Sequence, residues 1–189
     1  MSLKAENITV RFGESTVLNG FSHEFADGGV TVIMGASGCG KTTLLSVLMG
    51  TLKPDSGTVT GNNVKLSAVF QEDRLCENLT AAANLKLVLP RRTEKGYTER
   101  ELEEVGLGGC GGKPVRELSG GMKRRLALLR ALLAEHDILF LDEPFKGLDE
   151  ETKQKVMSFC KDKITGKTTI LVTHDPTEAE FFGGQRIDL

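Results

Sequence analysis

No apolar run in this 189-residue chain approaches the ~20 residues that cross a bilayer; residues 126–134 are among the longest and fall far short. The first residues open straight into a strand-like stretch at 3–10 without a signal-like apolar core, so the sequence predicts a cytoplasmic protein. Charge of one sign is lacking too. Lys and Arg number 24 against 26 Asp and Glu, a formal net charge of -2, which gives no overall attraction to nucleic acid or anionic lipid. The four cysteines, Cys39, Cys76, Cys110 and Cys160, show neither C-x-x-C pairing nor the density of a disulfide scaffold, so no structural metal is indicated and a reducing compartment suits them. Internal repeats and low-complexity tracts are absent. What is present, 39% hydrophobic and 26% charged residues, suffices for one sizeable core and is too short for two ordinary domains.

Apolar alternation marks residues 8–12 and 21–25 as strands, and 30–34 is a buried-type run ending at Gly35. Residues 42–49 read as a helix, 58–60 and 64–70 as strands after a turn at 54–57. Between 72 and 121 the chain turns helical and loop-rich. Thr98 and Glu101 have the spacing of a capping box, ahead of a glycine cluster at 106–112 that reads as a flexible hinge or loop. Ser119 can cap a long helix reaching 135; 138–141 is an apolar strand, 150–164 a helix and 168–173 a strand. Strands alternating with helices predict an α/β fold with a parallel sheet flanked by helices, and residues 72–121 as a helical insertion.

Gly35-Ala36-Ser37-Gly38-Cys39-Gly40-Lys41-Thr42 matches G-x-x-x-x-G-K-S/T between an expected strand and an expected helix, the context that motif requires. The glycines let successive N–H groups curl inward around phosphates, and the helix start adds its positive end. Lys41 reaches the β and γ phosphates, Thr42 offers a hydroxyl to Mg²⁺, and Thr43 is placed for the α-phosphate. Residues 138–141 are apolar and are followed by Asp142-Glu143, which puts two carboxylates at the exposed end of a buried strand. Asp142 would hold the Mg²⁺ and Glu143 would orient and deprotonate the attacking water.

Leu118-Ser119-Gly120-Gly121-Met122, upstream of that strand, resembles the LSGGQ signature of ATP-binding cassette proteins, with Met122 where glutamine is usual. Ser119 and the N–H groups of its helix start form a second anion site. The resemblance implies a P-loop ATPase core (residues 1–71 and 122–189) with an N-terminal antiparallel β subdomain and a small helical subdomain (72–121). It also implies a head-to-tail homodimer in which Ser119, Gly120, Gly121 and Met122 of one copy face the γ-phosphate of ATP on the other. By the same resemblance Gln71 looks like the glutamine that senses Mg²⁺ and water. His174 looks like the switch histidine at the γ-phosphate, and Asp149 like the interface aspartate, for which helix N-capping is an independent role. Phe12 occupies the aromatic position that stacks on adenine, and a core position is its other reading.

The stretches 69–75, 142–145 and 171–175 are similar to importer-type ATPases of the nitrate, sulfonate and taurine group. That likeness implies a membrane permease docking near residues 71–79, a solute-binding protein acting through the permease, and a place on the inner face of the cell membrane. Cassette ATPases that act on nucleic acid or ribosomes are the alternative. Those relatives carry long coiled-coil insertions or two cassettes in one chain, and this chain has neither.

Overall fold

The structure, a computed structural model, describes residues 2–189. It forms two compact units. The first holds the chain up to Leu66 with His136–Asp142 and Thr165–Leu189; the second holds Ser67–Glu135 and Glu143–Ile164.

In the first unit β1 (Lys4–Phe12) lies between β2 (Ser15–Glu24) and β4 (Ser56–Thr60), both antiparallel to it. Buried residues along β1 are Ala5, Ile8 and Val10, so the spacing of two is broken once. The register shift between Ala5 and Ile8 supplies the reason, an extra residue with Asn7 in the left-handed region at φ 51. The hydroxyl of Ser22 accepts from the Asn7 N–H at 2.8 Å and satisfies a donor the ladder loses. Alternation alone therefore starts this strand at residue 8, four residues late.

The parallel layer is built from β3 (Val30–Met34), β6 (Ile138–Asp142), β7 (Thr168–Val172) and β8 (Gln185–Asp188), in the order β6-β7-β3-β8. All five residues of β6 and of β7 are buried, as expected of strands covered on both faces. Helix α1 (Lys41–Leu48) follows β3 and buries Leu44, Leu45 and Leu48. Helix α6 (Pro176–Phe182) and β8 go beyond the sequence reading. Asp175 caps α6 by accepting from the Thr177 N–H at 2.8 Å, with Pro176 in its first turn, a start signal the sequence does carry. Strand β8 has only Ile187 half-buried between polar neighbours, so periodicity cannot find it.

Strand β5 (Leu66–Val69) carries the chain into the second unit, which holds α2 (Ala81–Lys86), α3 (Tyr97–Glu104), a 3-10 turn at Val115–Glu117, α4 (Gly120–Leu133) and α5 (Glu150–Ile164). Its core includes Leu85, Leu102, Val105, Leu107, Leu126, Leu129 and Val156. Thr98 and Glu101 do not form a capping box. Gly96 occupies the N-cap of α3 without a side-chain bond, and the Thr98 hydroxyl is turned to Glu99 at 2.9 Å. The glycine cluster is a loop tied down at several points. Leu107 and Cys110 within it are buried, and the loop is bonded from Leu107 N–H to Leu102 (2.7 Å) and from Ala82 N–H to Gly111 (3.0 Å).

Candidate nucleotide site

Three strand ends set the scene in the first unit. Ile33 of β3 is registered with Val172 of β7, which is registered with Asp142 of β6. The loops leaving these strands therefore emerge from one row at the carboxyl edge of the sheet, where ligands of open α/β sheets gather. The loop after β3 is the phosphate-binding motif, β6 ends on Asp142, and the loop after β7 carries His174.

The glycine loop is held by close approach. Gly40 has φ 105, and a Cβ there would lie 2.9 Å from the Val17 side chain; one at Gly35 (φ 153) would lie 2.7 Å from both the Cys39 sulfur and the Leu189 carbonyl. Ala36, Ser37 and Gly38 are exposed at the rim, and Thr43 is half-buried. Helix α1 starts at Lys41 with no side chain capping it, the arrangement that suits an anionic ligand. Lys41 is 6% exposed, and its ammonium donates to the carbonyls of Gly35 and Ala36, each at 2.8 Å, so its charge is held over the loop. Cys39 is half-buried with its sulfur 3.9 Å from the same ammonium.

Thr42 donates its hydroxyl to Asp142 Oδ2 at 2.8 Å. Asp142 is 2% exposed. Two oxygen donors already in contact beside a phosphate loop fit a hard divalent cation such as Mg²⁺. His174 is exposed at the head of its loop. The turn is set by Thr173, buried, which donates to the buried carboxylate of Glu178 at 2.5 Å and accepts from the Asp175 N–H at 3.1 Å. Sequence reasoning passed over Glu178, whose only visible signal is a carboxylate one turn into a capped helix. Phe12 is 55% exposed at the end of β1, which removes the core reading and leaves a ring face accessible.

The remaining predicted residues belong to the second unit. Glu143 adopts φ 47, a setting that costs a non-glycine residue roughly 1–2 kcal/mol and is common at functional turns. Its carboxylate, mostly buried, pairs with Lys146 at 2.9 Å. Gln71 is exposed just past the end of β5. Ser119 is the N-cap of α4, its hydroxyl accepting from the Met122 N–H at 3.3 Å. Ser119 and Gly120 are exposed, and Gly121 and Met122 are half-buried. Asp149 caps α5 by accepting from the Thr152 N–H at 3.0 Å, and that bond holds its carboxyl below the usual range. The structure thus gathers residues 35–43, Asp142 and His174 at one sheet edge. In the second unit it links the backbones of Gln71 and Glu143 through Arg124, a residue the sequence reading treated as helix interior.

A phosphate loop, a threonine hydroxyl on a strand-end aspartate and a glutamate next to it define a P-loop nucleotide hydrolase. The sequence pattern of the ABC transporter family matches residues 18–146. This chain belongs to that family. It is 41% identical over 196 residues to the taurine import ATP-binding protein of Pelagibacter ubique, covering 96% of this chain and 68% of the relative. It is 36% identical over 191 residues to an aliphatic sulfonates import ATP-binding protein of Pseudomonas aeruginosa, covering 93% and 76%. Among solved structures, the dimeric post-hydrolysis state of the ATP-binding cassette MJ0796 bound to ADP and Pi superposes with a TM-score of 0.85 at 30% identity, covering 99% of this chain and 94% of that one.

Proposed function

We propose that this chain is the ATP-hydrolysing subunit of a membrane importer, with a site built from residues 35–43, Asp142, Glu143, Gln71 and His174 and completed in a dimer by Ser119–Met122 of a second copy. The observation that carries this is the contact between Thr42 and Asp142 at 2.8 Å beneath a glycine loop whose lysine is already folded over it. The family and the import roles of the similar proteins support the import role.

The loop N–H groups and Lys41 bind the β and γ phosphates, and Thr43 the α-phosphate. Phe12 offers its exposed ring to adenine. Thr42, Asp142 and Gln71 are the residues that would hold Mg²⁺, which, when bound, neutralises phosphate charge. Glu143 accepts a proton from water as its oxygen bonds the γ-phosphorus and the bond to the ADP oxygen breaks. His174 donates to the γ-phosphate oxygens and steadies that geometry. Asp149 belongs to the dimer interface. Residues 1–71 and 122–189 form the catalytic core in this reading and 72–121 the helical subdomain. No described helix is long and apolar enough to cross a membrane, and the proposed place of the protein is the cytoplasmic face, on a permease that contacts residues 71–79 and through which a solute-binding protein acts.

Lys41→Ala should abolish ATP binding in equilibrium dialysis while leaving thermal unfolding of the nucleotide-free protein nearly unchanged. Retained binding would contradict the phosphate site. Cys76 is exposed in the proposed docking segment. It should cross-link to cysteines placed in a cytoplasmic loop of a permease encoded beside this chain, and no cross-link at any loop position would remove the import role.

A further inference from the structure

Arg124 lies early in α4, is 4% exposed, and turns its guanidinium toward two loops. Nη1 donates to the Phe70 carbonyl at 2.5 Å and to Asp73 Oδ1 at 3.1 Å, with the Gln71 carbonyl at 3.4 Å. Nη2 donates to the Glu143 carbonyl at 2.6 Å. Burying a guanidinium is costly unless its donors are met, and a planar fork meets several acceptors at fixed angles as no ammonium can. Here the acceptors are the Asp73 carboxylate and backbone carbonyls of the Gln71 loop and of the glutamate itself.

Both loops are bent at or beside a residue that Arg124 bonds, at Glu143 itself and at Arg74 next to Asp73. Arg74 has φ 45 and Glu143 φ 47, left-handed settings that persist only when the surroundings over-determine them. The loop after Gln71 is gripped along the same helix. Arg130 donates to the Arg74 carbonyl at 2.8 Å and Lys123 pairs with Glu77 at 2.9 Å. Buried Asn84 of α2 binds both the N–H and the carbonyl of Cys76, at 2.9 and 3.1 Å. The segment is therefore held against α4 at several points, and Arg124 bonds it to the Glu143 backbone.

We infer that Arg124 is a positioning residue: it fixes the backbone of Glu143 against the Gln71–Asp73 loop, so that displacement of that loop is delivered to the glutamate. This rests on the reading of Glu143 as the base in ATP hydrolysis. The link itself is a backbone geometry that can be tested without turnover.

Arg124→Lys keeps the charge and loses the fork. Its kcat should fall roughly tenfold or more, as for a reacting group misplaced by a fraction of an ångström, with KM for ATP within about twofold of the unsubstituted value. Asp73→Asn is the gentler change, loosening one side of the guanidinium. The Lys146 N–H bonds the Glu143 carbonyl at 3.3 Å. Hydrogen exchange at residues 143–146 should therefore quicken in Asp73→Asn along with residues 71–76. Faster exchange at 71–76 with none at 143–146 would overturn the inference, as would a folded Arg124→Lys with unchanged kcat. If Arg124→Lys does not fold, the exchange result decides. An unsubstituted protein without ATPase activity would sink the reading of Glu143, while the exchange measurement would still decide the link.

Discussion

Cys39 is one of four free cysteines, and the structure separates their chemistry. Cys160 is fully buried, and burial pushes its thiol up, away from the reactive thiolate. Cys110 is buried, Cys76 exposed, and Cys39 half-buried inside the phosphate loop. In the proposed site, any adduct on Cys39 adds bulk where the phosphates would bind. At ATP about ten times its Kd, labelling of Cys39 should slow roughly tenfold by mass action while Cys76 reacts at an unchanged rate. Peptide mass spectrometry after timed alkylation reads both at once, and equal Cys39 rates with and without ATP would contradict the site. At this scale the places of residues 35–43 and Asp142 were legible, because each sits where a strand passes into a loop or helix, and that of Ser119 because it starts a helix. Arg124 was not legible, because a buried charge inside a helix reveals its partners only when residues distant in sequence are folded against it, and Glu178 was not, because nothing in the sequence shows that its turn with Thr173 is buried.

Helix α4 begins on the Ser119 cap, whose role the sequence signalled because the residue type and the free N–H groups of a helix start go together. Ser119→Ala removes one acceptor and should cost about 1 kcal/mol, which for a chain of this length lowers Tm by roughly 2–4 °C. Ser119→Asp keeps a capping oxygen and should leave Tm close to the unsubstituted value, yet set a negative charge where a partner's γ-phosphate must approach. Scanning calorimetry and ATPase assays together check this: lost hydrolysis in Ser119→Asp with retained stability supports the second anion site, and full hydrolysis opposes it. Elements were legible where one pattern ran unbroken, as in the apolar run of β3 and the helical stretch of α5, both found to the residue. They were not where a bulge reset the alternation of β1, where Gly96 took the N-cap from Thr98, or where β8 paired as a polar edge strand.

At the scale of the whole molecule, the parallel sheet and the helical segment were foreseen from the order of strand-like and helix-like stretches, and the antiparallel sheet from the family resemblance alone. Not foreseen was the compact division, which places Asp142 in one unit and Glu143 in the other. The proposed catalytic state requires a second copy, and the chain matches a dimeric cassette over 99% of its length. Glu143→Gln removes the base without altering Asp142. The most direct measurement is light scattering of this variant at saturating MgATP, alongside its ATPase rate. The account predicts twice the 20.5 kDa chain mass with ATP, the single-chain mass without it, and no turnover. A variant that stays at the single-chain mass with ATP bound, or that hydrolyses ATP at the unsubstituted rate, would contradict it.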